Sequence, residues 1–355
     1  MGEVQVPENL EWSLPVPSVQ ELALQHLHAV PPRYIRDHDA DAHEIITDQS
    51  LSVPLIDLAK LLNQDSQAME LQKLHSACKH WGLFQLINHG VSDESVRNMR
   101  DQAQEFFELP LQEKERWVQK PGNLEGYGHS FITSEQQKLE WSDMIFLKVL
   151  PAQNKNLEFW PQKPLKFRET LESYTEDVKG VVVSLVRLMA MGLQLQDKEF
   201  YKTYQQGRYD VRMNFYPPCP EPERVVGVNA HADINGITLL LECGDTPGLQ
   251  VLKDGKWILV QPIDGAIVVD IGQIMEIMSN GIYKSPLHRA VVNKSKERLS
   301  IVTFCYPNSS HDIGPAKELI NSGIPPLYKT VSLDEYLHLF LNSKLEVPFI
   351  ESLKF

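Results

Sequence analysis

The sequence predicts an α+β protein, a helix-rich first part followed by a sandwich or barrel of short strands such as a jelly roll. Up to about residue 205 the long apolar stripes have helical period. From Tyr209 to Pro307 the period shortens to two, and Gly, Pro and Asn separate short β-branched runs. After that the chain returns to helical spacing. These changes divide it into an N-terminal arm (1–50), a helix-rich region (51–205), a β domain (206–310) and a C-terminal helical segment (311–355).

The arm carries one expected helix, PSVQELALQHL. SVPLIDLAKLL reads as a short strand with Pro54 at its start, leading into a helix. SQAMELQKLHSACKHWG is a helix with Met69, Leu71, Leu74, Ala77, Cys78 and Trp81 as its apolar stripe, ending at Gly82. LFQLINHG follows as a strand, with His89 in its closing turn. SDESVRNMRDQAQEFFELP is a helix capped by Ser92, with acids in its first turn and Pro110 beyond its end. The segment from Leu165 to Leu195 is a long helix with Phe167, Leu171, Tyr174, Val178, Val182 and Leu185 on one face. LQVLKDGKWILV is a hairpin turned at Asp254-Gly255; AIVVDIG, SPLHRAVV and RLSIVTFCYP are strands, and SLDEYLHLFLNSKL is a helix.

Bulk properties exclude several classes. Asp+Glu number 47 against 34 Lys+Arg, a formal charge of −13, and no basic cluster offsets it. Nucleic-acid and anionic-membrane partners are therefore not expected. No run of about 18 apolar residues occurs, so no transmembrane helix is expected. MGEVQVPENLEW has neither a charged n-region nor an apolar h-region, so no signal peptide is expected. Cys78, Cys219, Cys243 and Cys305 are scattered without a CxxC, which fits four reduced thiols in a cytoplasmic protein.

Strand periodicity sorts the polar residues of the β domain. VNAHADINGITLLLE reads as a strand interrupted by a turn at Asn235-Gly236, and His231 and Asp233, two apart in an extended chain, share a face. In YDVRMNFYPP, Arg212, Asn214 and Tyr216 oppose Val211, Met213 and Phe215. In RLSIVTFCYP, Arg298, Ser300, Val302 and Phe304 share one face. His288 stands between apolar neighbours in SPLHRAVV. If these strands line one cavity, its wall is a poor core and a good site. Two imidazoles and one carboxylate form a 2-His-1-carboxylate set, which leaves coordination positions open and suits non-haem Fe(II). A buried Arg298 needs an anion, either a ligand carboxylate or an Asp/Glu partner, and Ser300 shares its face.

At this point the chain resembles the plant Fe(II)/2-oxoglutarate-dependent dioxygenases of specialised metabolism, the group of anthocyanidin synthase, flavonol synthase and the poppy alkaloid O-demethylases. RMNFYPPCP, HAD, MSNGIYKSPLHRAVVN and ERLSIVTF carry the likeness, with VPLIDL, HWGLFQLINHGV and EGYGHSFITSEQQKLEWSD in the first half. The resemblance implies a distorted double-stranded β-helix (jelly roll) with helices packed outside. It implies Fe(II) on His231, Asp233 and His288 and the distal carboxylate of 2-oxoglutarate on Arg298 and Ser300. Tyr216 and Asn214 would meet the chelating end, and Met144, Phe146, Arg212 and Phe304 would meet the organic substrate. The implied reaction is hydroxylation or O-demethylation of an alkaloid or flavonoid with O2, releasing succinate and CO2, with ascorbate as reductant and the protein a monomer. Three departures stand out: Ala232 where many relatives have Ser or Thr, Val228-Asn229-Ala230 before His231, and Val269-Asp270-Ile271-Gly272-Gln273 where relatives usually read VNIGD. None is expected to touch a ligand; they bear on the shape of the cavity.

Other readings stay open on the residues alone. A desaturase or ring-modifying oxidase of the same fold, or an oxidase that needs no 2-oxoglutarate, would share the motifs. A non-catalytic small-molecule-binding jelly roll would have lost a ligand, and all three are present. A zinc hydrolase is disfavoured because no general-base Glu accompanies the pair as in HExxH.

Overall fold

A computed structural model describes residues 16–25, 29–36, 45–46, 52–120, 123–129, 132, 135–196, 198–321, 323–342 and 348–355. Much of the N-terminal arm, and most of the NSKL that ends the last expected helix, lie outside these residues. The strands of the two main sheets are β1 (Ile45–Ile46), β2 (Leu55–Asp57), β3 (Leu83–Ile87), β4 (Gly126–Gly128), β5 (Asp143–Leu150), β6 (Arg208–Tyr216), β7 (Val228–His231), β8 (Ile237–Glu242), β9 (Leu249–Lys253), β10 (Lys256–Leu259), β11 (Ile267–Ile271), β12 (His288–Ala290) and β13 (Arg298–Tyr306). They form a major sheet, β2-β3-β11-β8-β13-β6-β5-β4, and a minor sheet, β1-β10-β9-β12-β7. From β6 onward the chain passes back and forth between the two sheets. That alternation is the double-stranded β-helix, or jelly roll.

The period of two decides which residues face which layer. On the major sheet Val211, Met213, Phe215, Leu239, Leu241, Val269, Leu299 and Ile301 point outward into one large core. Helices Gln67–His80, Asp93–Glu108 and Phe167–Gly192 cover that face. In the last of them Phe167, Leu171, Tyr174, Val178, Val182 and Leu185 are all 0% exposed, as the expected stripe requires. Burial of each Phe, Leu and Val side chain among them contributes about 1.5–3 kcal/mol relative to exposure. The opposite face of the major sheet meets the minor sheet through Leu83, Leu240, Val268, Leu249 and Val251. Polar residues interrupt this second layer, and the site lies there.

Local signals behave as expected. Ser92 Oγ accepts from Ser95 N at 3.1 Å and starts Asp93–Glu108. Asp254 and Gly255 take φ of 51° and 76° between β9 and β10, the left-handed pair a tight hairpin needs. The four cysteines are free. One stripe residue is corrected: Met69 is 62% exposed, because it lies two positions from Leu71, about 200° around a helix. The major sheet also takes β2, β3, β4 and β5 from before residue 206. Among the described residues no helix is long and apolar enough to cross a membrane.

Candidate metal centre

Cross-strand register brings the titratable residues together. β12 pairs with β7 so that His288 stands opposite His231, and their rings lie 4.3 Å apart. Both histidines belong to the minor sheet. β7 ends at His231, and Asp233 sits in the link that carries the chain across to β8 in the major sheet. The pair is thus not two residues of one strand, yet the side chains converge: His231 Nε2 is 3.5 Å and His288 Nε2 is 3.8 Å from Asp233 Oδ1. One donor atom from each of the three lies within 4.8 Å of the others.

The surrounding hydrogen bonds orient this set. His231 Nδ1 lies 2.8 Å from the Asn229 carbonyl, which can only accept, so Nδ1 carries the proton and Nε2 is left as the free donor atom. His288 Nδ1 lies 2.8 Å from Asp270 Oδ2, and that contact has the same effect. Thr238 Oγ1 donates to Asp233 Oδ2, leaving Oδ1 turned toward the imidazoles. Burial opposes the charge of Asp233, but His288 and His231 outweigh it and hold the carboxyl at about 2. Burial likewise opposes the charge of His288, and Asp270 and Asp233 lift it to about 9. Asp270 is pushed up by burial to about 6, against the pull of His288. Two Nε2 atoms and a carboxylate oxygen on one face are the donor set of a non-haem iron site, and the residues fit that metal. The departure at Asp270 was expected to touch no ligand; it contacts His288, because β11 runs antiparallel to β8 and sets Asp270 beside Thr238 on the inner face.

A cavity runs from this cluster along β6 and β13. Arg212, Asn214, Tyr216, Arg298, Ser300 and Phe304 line it together with His231, Asp233 and His288. Register explains the grouping, since Arg298 pairs with Tyr216, Ser300 with Asn214 and Val302 with Arg212. Asn214 Nδ2 donates to Ser300 Oγ at 3.4 Å. Arg298 is 5% exposed, its guanidinium carbon 4.9 Å from the Tyr216 ring centroid. Its Nη2 donates to Glu242 Oε1 at 2.6 Å, while Nε and Nη1 have no hydrogen-bond partner. Gly248 and Gly227 permit this packing: a Cβ on the first would come within 2.6 Å of Arg298 Cδ, and on the second within 2.7 Å of the Tyr216 ring. Met144 and Phe146 on β5 pair with Asn214 and Arg212, so they share the inner face without lining the cavity. Arg212 donates through Nε to Asn214, and its Nη2 is 3.9 Å from Glu140.

Sequence reasoning missed Thr238, Glu242 and Glu140, and it placed Asp270 away from the ligands. Thr238 and Glu242 share strand parity with Leu240, and an acid inside AIVVDIG is itself a signal. Another depression, open and about 530 Å³, lies beside His75, Lys79, His80 and Lys284 and assembles no carboxylate–imidazole set.

A fold that alternates between two sheets around such a cluster defines a non-haem iron oxygenase class, and comparison with known proteins agrees. Residues 53–163 match the N-terminal region of non-haem dioxygenases in morphine synthesis, and residues 207–307 match the 2OG-Fe(II) oxygenase superfamily. The chain is 41% identical over 339 residues to codeine O-demethylase of Papaver somniferum, covering 94% of each protein. It is 40% identical over 334 residues to oxoglutarate-dependent flavonoid 7-O-demethylase 1 of Ocimum basilicum, covering 94% of this chain and 89% of the other. The crystal structure of JOX2 in complex with 2OG, Fe and JA matches with a TM-score of 0.86 at 35% identity, over 97% of this chain and 99% of that one. The chain belongs to the 2OG-Fe(II) oxygenase superfamily. Within it, this protein is a plant Fe(II)/2-oxoglutarate-dependent dioxygenase, an oxidoreductase.

Proposed function

We propose that His231 Nε2, Asp233 Oδ1 and His288 Nε2 hold the Fe(II), and that Arg298 and Ser300 receive the distal carboxylate of 2-oxoglutarate. The observation that carries this reading is one cavity lined by both a converged 2-His-1-carboxylate set and a buried guanidinium with two nitrogens that lack hydrogen-bond partners. The bound iron, with 2-oxoglutarate and O2, supplies the oxidising power that attacks a C–H bond, and succinate and CO2 are released. The chain's own residues position and shield. Asn229, Asp270 and Thr238 fix the three ligands, so the open side of the cluster faces the cavity. Tyr216 and Asn214, which line the same cavity opposite Arg298 and Ser300 on the paired strand, orient the chelating end of the co-substrate. Val228, Leu240, Val268 and Val302 exclude water around it.

Arg212 and Phe304 at the cavity wall, with Met144 and Phe146 on the adjoining strand, form the substrate side. An apolar and aromatic surface with one guanidinium suits a flat ring system such as an alkaloid or flavonoid. Resemblance to two O-demethylases supports attack at an O-methyl carbon, with ring hydroxylation as the alternative pose. The catalytic unit spans 206–310, the helix-rich region 51–205 buttresses it, and the segments 1–50 and 311–355 flank them. Ascorbate is the reductant, and the protein works as a cytoplasmic monomer without nucleic-acid or membrane partners. The test is incubation with Fe(II), ascorbate and 2-oxoglutarate against methoxylated and unmethoxylated alkaloids and flavonoids, following succinate and product mass. Loss of a methyl group with formaldehyde supports O-demethylation, and addition of one oxygen supports hydroxylation. Succinate formation that His288→Ala leaves unchanged would sink the iron assignment.

A further inference from the structure

The buried carboxylate beside Arg298 is not required by the reading above, and it bears on the co-substrate directly. Glu242 ends β8 and is the cross-strand partner of Ser300 on β13, so it points to the same inner face as Ser300. Its Oε1 accepts from Arg298 Nη2 at 2.6 Å, with the two side chains 10% and 4% exposed. Among the described residues Glu242 has no second cationic partner. The guanidinium is thus neutralised by the protein before any ligand arrives, while Nε and Nη1 still lack acceptors.

We infer that Glu242 is a built-in counter-ion of Arg298 that sets the affinity of the site for the distal carboxylate of 2-oxoglutarate. The inference rests on the reading of Arg298 as the socket for that carboxylate. A buried arginine left unpaired is costly, so Glu242 keeps the empty socket charged and in position. When the ligand carboxylate docks on the free N–H atoms, two carboxylates share one guanidinium in a desolvated space, and the site gains a net negative charge. Glu242 therefore weakens the hold on a 2-oxo diacid, but not on a 2-oxo acid that has no distal carboxylate. Co-substrate occupancy becomes sensitive to concentration where a lone arginine would saturate.

Glu242→Gln isolates the effect, because the amide keeps the shape and an acceptor for Nη2 and removes only the charge. Anaerobic calorimetry on the Fe(II)-loaded protein measures binding of 2-oxoglutarate and of 2-oxobutyrate. E242Q is expected to bind 2-oxoglutarate at least about tenfold more tightly than the wild type, with 2-oxobutyrate changed less than about twofold. E242M, of similar volume, is expected to shift in the same direction, so the result does not depend on one replacement. An unchanged or weaker affinity for 2-oxoglutarate, or an equal gain for both acids, would overturn the role of Glu242. The double variant R298M/E242Q leaves neither charge buried alone. If it loses 2-oxoglutarate binding while E242Q equals the wild type, the inference fails and the socket stands; if it binds as the wild type does, both fail.

Discussion

His288 carries the clearest consequence at the scale of single residues. In the proposed iron site its Nε2 must be without a proton, whereas Asp270 and Asp233, against the effect of burial, raise the imidazole to about 9. Each ion bound near neutrality therefore displaces about one proton, and affinity rises about tenfold per pH unit until it levels off near that value. Chelator competition at several pH values measures the slope. Asp270→Asn keeps an acceptor for Nδ1 but removes one of the two charges that lift His288, so the levelling-off is expected to move to lower pH. An unchanged profile would mean that another group controls uptake. Thr238→Val removes the hydrogen bond that turns Asp233 Oδ2 away from the cluster, and a loss of about tenfold in iron affinity is expected by the same assay.

At the scale of elements, strands position the chemistry and helices supply the support. The face of Phe167–Gly192 that packs beneath the major sheet has no slack: Leu185 is 0% exposed, and Leu185→Ala is expected to cost about 2–5 kcal/mol in urea unfolding. Ser92→Ala removes the cap of Asp93–Glu108 at a cost of about 1 kcal/mol; Ser92 does not line the cavity, so no effect on co-substrate affinity is expected. Gly248, just before β9, acts in the reverse way. An added methyl meets the Arg298 side chain, so Gly248→Ala is expected to raise the KM for 2-oxoglutarate by about tenfold or more, because a misplaced guanidinium forfeits its charge-assisted hydrogen bonds.

The whole molecule is two sheets held together partly by an apolar layer and partly by the site. His231 and His288 come from the minor sheet, while Asp233 stands in the link to the major one and is fixed by Thr238 of β8. An ion on these residues, as proposed, would tie the two layers together and stabilise only the folded state. Stabilisation of about 2.7 kcal/mol is expected at a metal concentration 100 times Kd. Chelation of the iron should therefore lower the melting temperature by a few degrees, and a melting curve indifferent to the chelator would argue that these residues do not hold the metal.

Much of this is legible in the amino-acid sequence. Alternation put Arg212, Asn214 and Tyr216 on one side of β6, and Arg298, Ser300 and Phe304 on one side of β13, because side-chain direction in a strand depends only on parity along the chain. The long amphipathic helix, the Ser92 cap and the Asp254-Gly255 turn were legible for the same reason, each being set by neighbours a few residues away. Register and partner choice are not local. Only the tertiary structure could set His288 opposite His231, seat Asp233 beyond the end of β7, bring Asp270 to His288 and hand Arg298 to Glu242 in place of its neighbour Glu297. The side-chain pairings among these join residues on different strands, and they are decided by which strands lie side by side and by how far each slides along the next.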